Sequence, residues 1–337
     1  MSDLNKLTKK ELLKLCEDYN LSKYKSKNKN ELISLLNPLI NQTDNSLKNS
    51  VEIHLGDCNE KLDLITDKSV NLICIDPPYN IGKDEWDNID DYIPFLIKVI
   101  KKLELKLKDN GSFFIFHNDM EIISELMVEI KKNTKFKFRQ MIVWNKRFDN
   151  SNKKGFMDGF VVKNELHNFN KMAEYILFYT FDNTYKLIEA RKKLNVSQIT
   201  ISQEIKSKTG GLTGWYSNIE TGKNLPTRET IKPIEKHLKL TYEDIVPKFN
   251  NMKTHHSVWN YDMAKRCKVH MTPKPIDLLS NIILHTTDED DLVLDCFAGS
   301  GTLGLACKNT KRRCILIEKE KKYYDYMKDE LFKSIND

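Results

Sequence analysis

The sequence predicts an α/β layer fold in which the strands around a glycine-rich loop come last along the chain, with small helical additions. Three observations carry this. Short β-branched apolar runs alternate with helical patterns over residues 51–146 and again over 270–337. A glycine-rich loop of nucleotide-binding type follows one of the late strands. The turn Asp76-Pro77-Pro78-Tyr79 follows one of the early strands.

Taken in order, residues 1–40 predict two short helices. Leu4, Leu7, Leu12, Leu13 and Leu15 recur at helical spacing, and the basic turn Lys23-Tyr24-Lys25-Ser26-Lys27 leads into an apolar run ending at Leu36, stopped by Pro38. Residues 41–50 are polar and read as a linker. The first α/β part spans 51–185. Its strands are Val51–Leu55, Val70–Ile75, Gly111–Phe116, Gln140–Trp144 and Tyr175–Tyr179, and its helices Asp91–Leu107 and Asp119–Lys131. Residues 186–250 form a helical insert interrupted by Gly210-Gly211. The second α/β part, 251–337, contributes strands Leu292–Leu294 and Cys314–Ile317 with flanking helices.

Bulk properties narrow the partners. The chain has 337 residues, 40% hydrophobic and 30% charged, the balance of a globular protein. Its net charge of +6 permits a polyanionic partner without requiring one. Seven cysteines include no C-x-x-C pair, so neither a metal site nor a disulfide framework is expected. The lysine-rich start lacks an apolar signal core and no run is long enough to span a bilayer. An intracellular protein without a membrane partner is the expectation, in cytoplasm or in nucleoid or nucleus.

Asp295-Cys296-Phe297-Ala298-Gly299-Ser300-Gly301-Thr302-Leu303-Gly304 links a strand to a helix, and Glu318 follows at the end of the next strand. An acid at that place reaches ribose hydroxyls. A second acid, Asp295, stands at the strand end itself. It would repel a pyrophosphate but attract the ammonium of an amino-acid moiety, which argues against a dinucleotide. The alternative is a tight turn with no ligand.

Asp76-Pro77-Pro78-Tyr79 sits where open α/β sheets place their chemistry, outside the carboxyl end of a strand. An exocyclic aromatic amine is a poor nucleophile because its lone pair is conjugated with the ring. A carboxylate on Asp76 and the main-chain carbonyl of Pro77 would accept its two hydrogens and stabilise positive charge developing on nitrogen. Tyr79 would stack on the base, worth ~1–3 kcal/mol. The alternative is an ordinary post-strand turn.

At these residues the chain resembles the DNA amino-methyltransferases in their β order: tetrad first, target-recognition segment next, cofactor loop last. The resemblance covers roughly 51–182 and 255–332 and extends to Gly56-Asp57-Cys58, Asn80-Ile81-Gly82, Trp86-Asp87, Ala173-Glu174-Tyr175-Ile176-Leu177 and Val258-Trp259. His270-Met271-Thr272-Pro273-Lys274-Pro275 is similar to the family's HPTQKP element, with Met271 and Pro273 departing from it. The resemblance implies a Rossmann-like S-adenosylmethionine-dependent methyltransferase sheet with circularly permuted motif order. It also implies double-stranded DNA as substrate, an extruded target base and no metal. Asp76, Pro77, Pro78 and Tyr79 would be catalytic. Asp57, Cys58, Asp76, His270, Thr272, Lys274, Asp295, Phe297, Gly299, Ser300, Gly301, Thr302 and Glu318 would face the cofactor, and Asn80 and Trp86 the DNA. Asp rather than Ser at the first tetrad position favours adenine N6 over cytosine N4.

Residues 4–36 resemble a SAP motif, a two-helix DNA-binding unit, which implies phosphate contacts from Lys23, Lys25 and Lys27; the alternative is a plain helical hairpin. Residues 186–246 resemble a Cro/lambda-repressor helix-turn-helix with helices at 187–194, 197–205 and from Trp215 on. That would put Trp215, Tyr216 and Lys223 on DNA, although Ser207–Gly214 is longer than the usual turn. The alternative is a structural insert.

The expected activity is thus site-specific methylation of adenine N6 in DNA. An N4-cytosine enzyme, a DNA-binding regulator on an inactive methyltransferase fold, and an enzyme acting on RNA or protein are the other readings. Homodimerisation is left open.

Overall fold

A computed structural model of the chain describes residues 4, 7–18, 24–36, 50–80, 87–146, 172–250, 256–264 and 273–332. Eight strands form one mixed sheet: β1 (Val51–Leu55), β2 (Val70–Ile75), β3 (Leu107–His117), β4 (Phe136–Asn145), β5 (Ala173–Phe181), β6 (Val258–Asn260), β7 (Leu292–Asp295) and β8 (Arg313–Glu318). Their order across the sheet is β1-β8-β7-β2-β3-β5-β4-β6. The first five in that order run parallel, β5 is antiparallel to both neighbours, and β6 is parallel to β4.

The apolar run of β2 is buried at all six positions because helices cover both sides of the sheet. Side chains alternate across it. Ile73, Ile75, Phe113 and Ile115 face Leu96, Ile100, Leu103 and Leu126 of helices α4 (Tyr92–Lys106) and α5 (Met120–Asn133). Leu72, Cys74, Phe114 and Leu316 face α11 (Ile276–Thr286), α12 (Thr302–Asn309) and α13 (Lys321–Phe332). Short α3 (Cys58–Leu62) follows β1. The expected strands all form, and β3, β4 and β5 run beyond them; Lys137 opposite Thr180 and Asn145 opposite Ala173 extend the ladder without an apolar run. Ladder hydrogen bonds need only backbone.

β2, from the early half, lies directly beside β7, from the late half, with Leu72 opposite Val293 and Ile73 opposite Leu294. The chain order reverses there. Such a switch point splays the loops at the carboxyl strand ends and opens a crevice.

At the N-terminus α1 (Lys9–Asp18) and a helix over 29–36, α2, bury Leu4, Leu12, Cys16, Leu32 and Leu36 in a small core of their own. Both start on reciprocal caps. The Thr8 amide donates to Glu11 Oε2 at 2.7 Å and the Asn28 amide to Glu31 Oε2 at 2.7 Å, with the return bonds present. Lys25 is exposed and Lys27 half-buried in the turn between these helices, while Lys23 lies outside the described residues.

The insert holds α6 (Tyr185–Lys193), α7 (Gln198–Ser202), α8 (Trp215–Glu220), α9 (Ile231–Leu238) and α10 (Tyr242–Ile245) around Leu187, Ile201, Ile219, Ile234 and Leu238. It leaves the sheet after the carboxyl end of β5 and returns beside the amino end of β3. There Asn183 Nδ2 donates to the Asp109 carbonyl at 2.8 Å, Lys186 pairs with Asp109, and the Lys248 amide donates to the Asn110 carbonyl at 2.9 Å. This is the sheet edge opposite the tetrad, because β5 runs against β2 and β3. The anchors of the insert sit a full strand length from the tetrad end of the sheet, ~17 Å for the five residue steps from Ser112 to His117.

One correction concerns Tyr216, expected on DNA. It is fully buried and its hydroxyl meets Glu220 at 3.2 Å, beside the Arg191–Glu220 ion pair. It is a core residue of the insert. Trp215 is half-buried with its indole donating to the Ser202 carbonyl, and Lys223 is exposed.

Candidate active site

The carboxyl ends of β2 and β7 open onto one cleft of about 830 Å³, lined among others by Asp57, Asp76, Tyr79, Lys274, Asp295 and Glu318. Asp76 and the 295–302 turn thus open onto one cleft, with Pro77, Pro78, Cys58, Phe297, Gly299, Ser300 and Thr302 also in its lining. His270, Thr272 and Trp86 lie outside the described residues.

The glycine loop is shaped by its backbone. Gly299 (φ 52°) and Gly301 (φ 74°) occupy the left-handed region that disfavours a side chain. At Gly301 a Cβ would come within 2.5 Å of Met327 Cγ, so α13 packs directly on the turn. Gly304 serves the third position of the pattern, where a Cβ would meet Leu316 Cδ1 at 2.7 Å; its absence lets α12 lie close on β8. Glu318 is buried and tied to the loop, Oε2 accepting from the Gly299 amide at 2.7 Å and Oε1 from the Glu320 amide at 2.8 Å. Beside Glu318, whose carbonyl accepts from the Gly56 amide at 2.9 Å, Asp57 caps α3, its Oδ1 accepting from the Asn59 amide at 2.8 Å.

Asp295 is buried, and its Oδ1 accepts one bond, from the Phe297 amide at 2.9 Å. Burial pushes its carboxyl up to about 8, against the Phe297 bond and with help from the Asp76 and Glu318 charges. A buried acid whose other oxygen has no partner among the described residues, lining a cleft, fits a ligand that brings its own cation. Glu318, also raised by burial, fits neutral hydroxyl donors in the same cleft.

The tetrad turn is held from behind. Tyr92, on α4, donates its hydroxyl to the Pro78 carbonyl at 2.5 Å and meets His117 Nε2 at 3.2 Å. His117 Nδ1 accepts from the Asp119 amide at 3.1 Å, which puts the ring proton on Nε2 and points it at Tyr92. Burial lowers the His117 pKa, so the ring stays neutral. The Pro77 carbonyl has no partner among the described residues and is available to a ligand. Asn80 (φ 56°) closes the turn, its amide donating to Asp87 and its Oδ1 accepting from the Ile89 amide, both at 2.8 Å.

Beneath the turn lies a partly buried ionic cluster. Lys274 Nζ is 2.5 Å from Asp76 Oδ2 and 3.4 Å from Glu174 Oε2; Lys146 pairs with Glu174 Oε1; the Tyr79 hydroxyl donates to Asp76 Oδ1 at 2.7 Å. Burial opposes ionisation of Glu174, but Lys274 and Lys146 outweigh it and hold the pKa low. Sequence reasoning gave no role to Glu174, Lys146, Tyr92 or His117. Glu174 did leave a trace, as a lone acid in the otherwise apolar Ala173–Phe181. One face of the Tyr79 ring is covered by His117, centroids 4.6 Å apart, while Tyr79 lines the cleft.

Comparison with known proteins agrees with this geometry. Residues 70–329 match the model of the N6/N4 methyltransferases, described as DNA methylase. The type II methyltransferase M1.MboII of Moraxella bovis is 29% identical over 275 residues, 78% of this chain and 90% of that protein. The DNA adenine methyltransferase YhdJ of Escherichia coli K12 is 30% identical over 285 residues, 80% of this chain and 78% of the relative. Among solved structures, the cytosine-N4-specific PvuII DNA methyltransferase superposes with a TM-score of 0.57 at 16% identity, over 86% of this chain and 88% of that one. The M1.HpyAVI–SAM complex superposes with a TM-score of 0.50 at 21% identity, over 83% and 99%. At these identities the two structures establish the Rossmann-like sheet.

Proposed function

The chain belongs to the DNA methylase family of N6/N4 amino-methyltransferases, and we propose that within it this protein methylates the N6 amine of adenine in double-stranded DNA, using S-adenosylmethionine. The observation that carries the reading is the shared cleft of Asp76 and Asp295 at the switch point.

When bound, S-adenosylmethionine supplies an electrophilic methyl carbon. Asp295 would hold its ammonium end, Glu318 the ribose hydroxyls and Asp57 the adenine amine, with the Gly299–Gly301 backbone passing close beneath; the donor set described above fits such a ligand. The M1.HpyAVI complex, whose bound molecule is S-adenosylmethionine, supports the choice. The protein's part in the reaction is acceptance. Asp76 and the Pro77 carbonyl take the two amine hydrogens, turn the nitrogen toward tetrahedral geometry and stabilise its developing charge. One proton then leaves the nitrogen for an Asp76 oxygen. Because the amine of a paired base lies inside the duplex, the base must be extruded into the cleft, with Tyr79 in the cleft lining to stack on.

Adenine is favoured over cytosine by Asp76 at the first tetrad position and by the adenine activity named for the Escherichia coli relative. The N-terminal hairpin, as a SAP-like unit with Lys25 exposed, and the insert, as a helix-turn-helix-like unit, would add DNA contacts outside the cleft.

Mapping modified bases in DNA from cells expressing the chain tests the reading. N6-methyladenine at a defined site is expected, absent when Asp76→Ala is expressed although that variant still binds S-adenosylmethionine. N4-methylcytosine instead would overturn the base assignment, and an active Asp76→Ala enzyme the acceptor assignment.

A further inference from the structure

Lys274 lies in the element that sequence resemblance assigns to the cofactor, yet its surroundings belong to the tetrad. Its side chain is buried on the segment leading into α11. An ammonium has three N–H donors. Here they meet Asp76 Oδ2 at 2.5 Å, Glu174 Oε2 at 3.4 Å and the Tyr79 hydroxyl at 3.4 Å. None is left over for a bound molecule. Glu174 is in turn fixed by Lys146, which approaches from the end of β4.

We infer that Lys274, steered by Glu174, is a positioning residue for the Asp76 carboxylate rather than a ligand of the cofactor. The inference rests on the reading of Asp76 as the amine acceptor. With Oδ1 held by Tyr79 and Oδ2 by Lys274, the carboxylate cannot rotate about its Cβ–Cγ bond. A carboxylate offers about four lone-pair sites, so two remain, directed by the geometry of the two that are filled. The cluster is balanced, with Asp76 and Glu174 against Lys274 and Lys146. That balance is what makes two buried and two half-buried charges tolerable, and removal of one partner leaves an uncompensated charge. Burial works against the charge on Lys274, but Asp76 and Glu174 outweigh it and raise its pKa, so it stays an ammonium throughout the working range. The other titratable groups facing the cluster are Tyr92 from α4, His117 from β3, Cys74 from β2 and Asp295 from β7.

The test uses the full chain with Lys274→Met, Lys274→Arg and Glu174→Gln. It measures kcat on a duplex substrate, S-adenosylmethionine affinity by calorimetry, and the acid limb of the kcat–pH profile. Lys274→Met is expected to lower kcat about 30-fold or more, the scale of a misplaced reacting group. Cofactor affinity should stay within about twofold and the acid limb move up by about one pH unit. Lys274→Arg should restore part of both, and Glu174→Gln should move them the same way by less. A cofactor affinity weakened about tenfold with the acid limb unmoved would make Lys274 a cofactor ligand. A lower kcat with the acid limb unmoved and no rescue by arginine would make it scaffold. Either result overturns the inference. Wild-type turnover and the Asp76→Ala control in the same assay report separately on the methyltransferase reading.

Discussion

Cofactor affinity should depend on pH in a way set by one buried acid. Asp295 lies near 8 in the free protein because burial disfavours its charge. At pH 6 it is two units below that value, about 1% ionised, and ionising it to receive an ammonium costs about 2.7 kcal/mol. The ligand's own amino group titrates near 8 and is charged at pH 6. The product of the two charged fractions rises about 25-fold between pH 6 and 8 and falls again above, giving a maximum near pH 8. Titration calorimetry of S-adenosylmethionine from pH 6 to 9, in buffers of different ionisation enthalpy, reads both the affinity and the proton release. Most of one proton should be released at pH 7. Asp295→Asn should abolish the rising limb and weaken binding at pH 8. An affinity flat from pH 6 to 8 without proton release would mean that Asp295 is ionised before the ligand arrives, and the pairing would be refuted.

Other consequences are equally direct. Glu318→Ala should weaken S-adenosylmethionine about tenfold, through the ribose contact and the freed Gly299 amide, with little effect on DNA affinity; unchanged cofactor binding in calorimetry would count against that contact. Tyr92→Phe removes the bond to the Pro78 carbonyl and should lower kcat by about threefold to tenfold at constant cofactor affinity; unchanged kcat would show that the tetrad turn holds itself. Replacing residues 186–246 with a short flexible linker should leave kcat on a short duplex within about threefold, because the two attachment points share the Asp109–Asn110 carbonyls. Loss of turnover in a folded product would show that the insert reaches the reacting base.

How much was legible in the sequence follows from how local each feature is. The buried run Val70–Ile75 with Asp76-Pro77-Pro78-Tyr79 at its end needed only neighbouring residues. So did the Asp295–Gly304 loop, whose glycines declare the turn, and Glu318, which sits one strand later. The edge from which the insert hangs was not legible, because an apolar strand reads the same in either direction: the antiparallel setting of β5 against β3 put the anchors of the insert at the end of the sheet away from the tetrad. Tyr216 was misread for a related reason. Its aromatic ring suits DNA or a core equally, and only packing against Leu187 and Ile219 decides which.

The sequence by itself determined the fold class, the permuted order, the two acidic strand ends and the chemistry they suit, because those depend on residue type and short-range spacing. Tertiary structure alone decided that β2 and β7 are neighbours, that Glu174, Lys146 and Lys274 converge beneath Asp76, and that Tyr92 and His117 clamp the turn. Each of those joins side chains remote in the chain, and their meeting is fixed by strand register and direction, which no local pattern encodes.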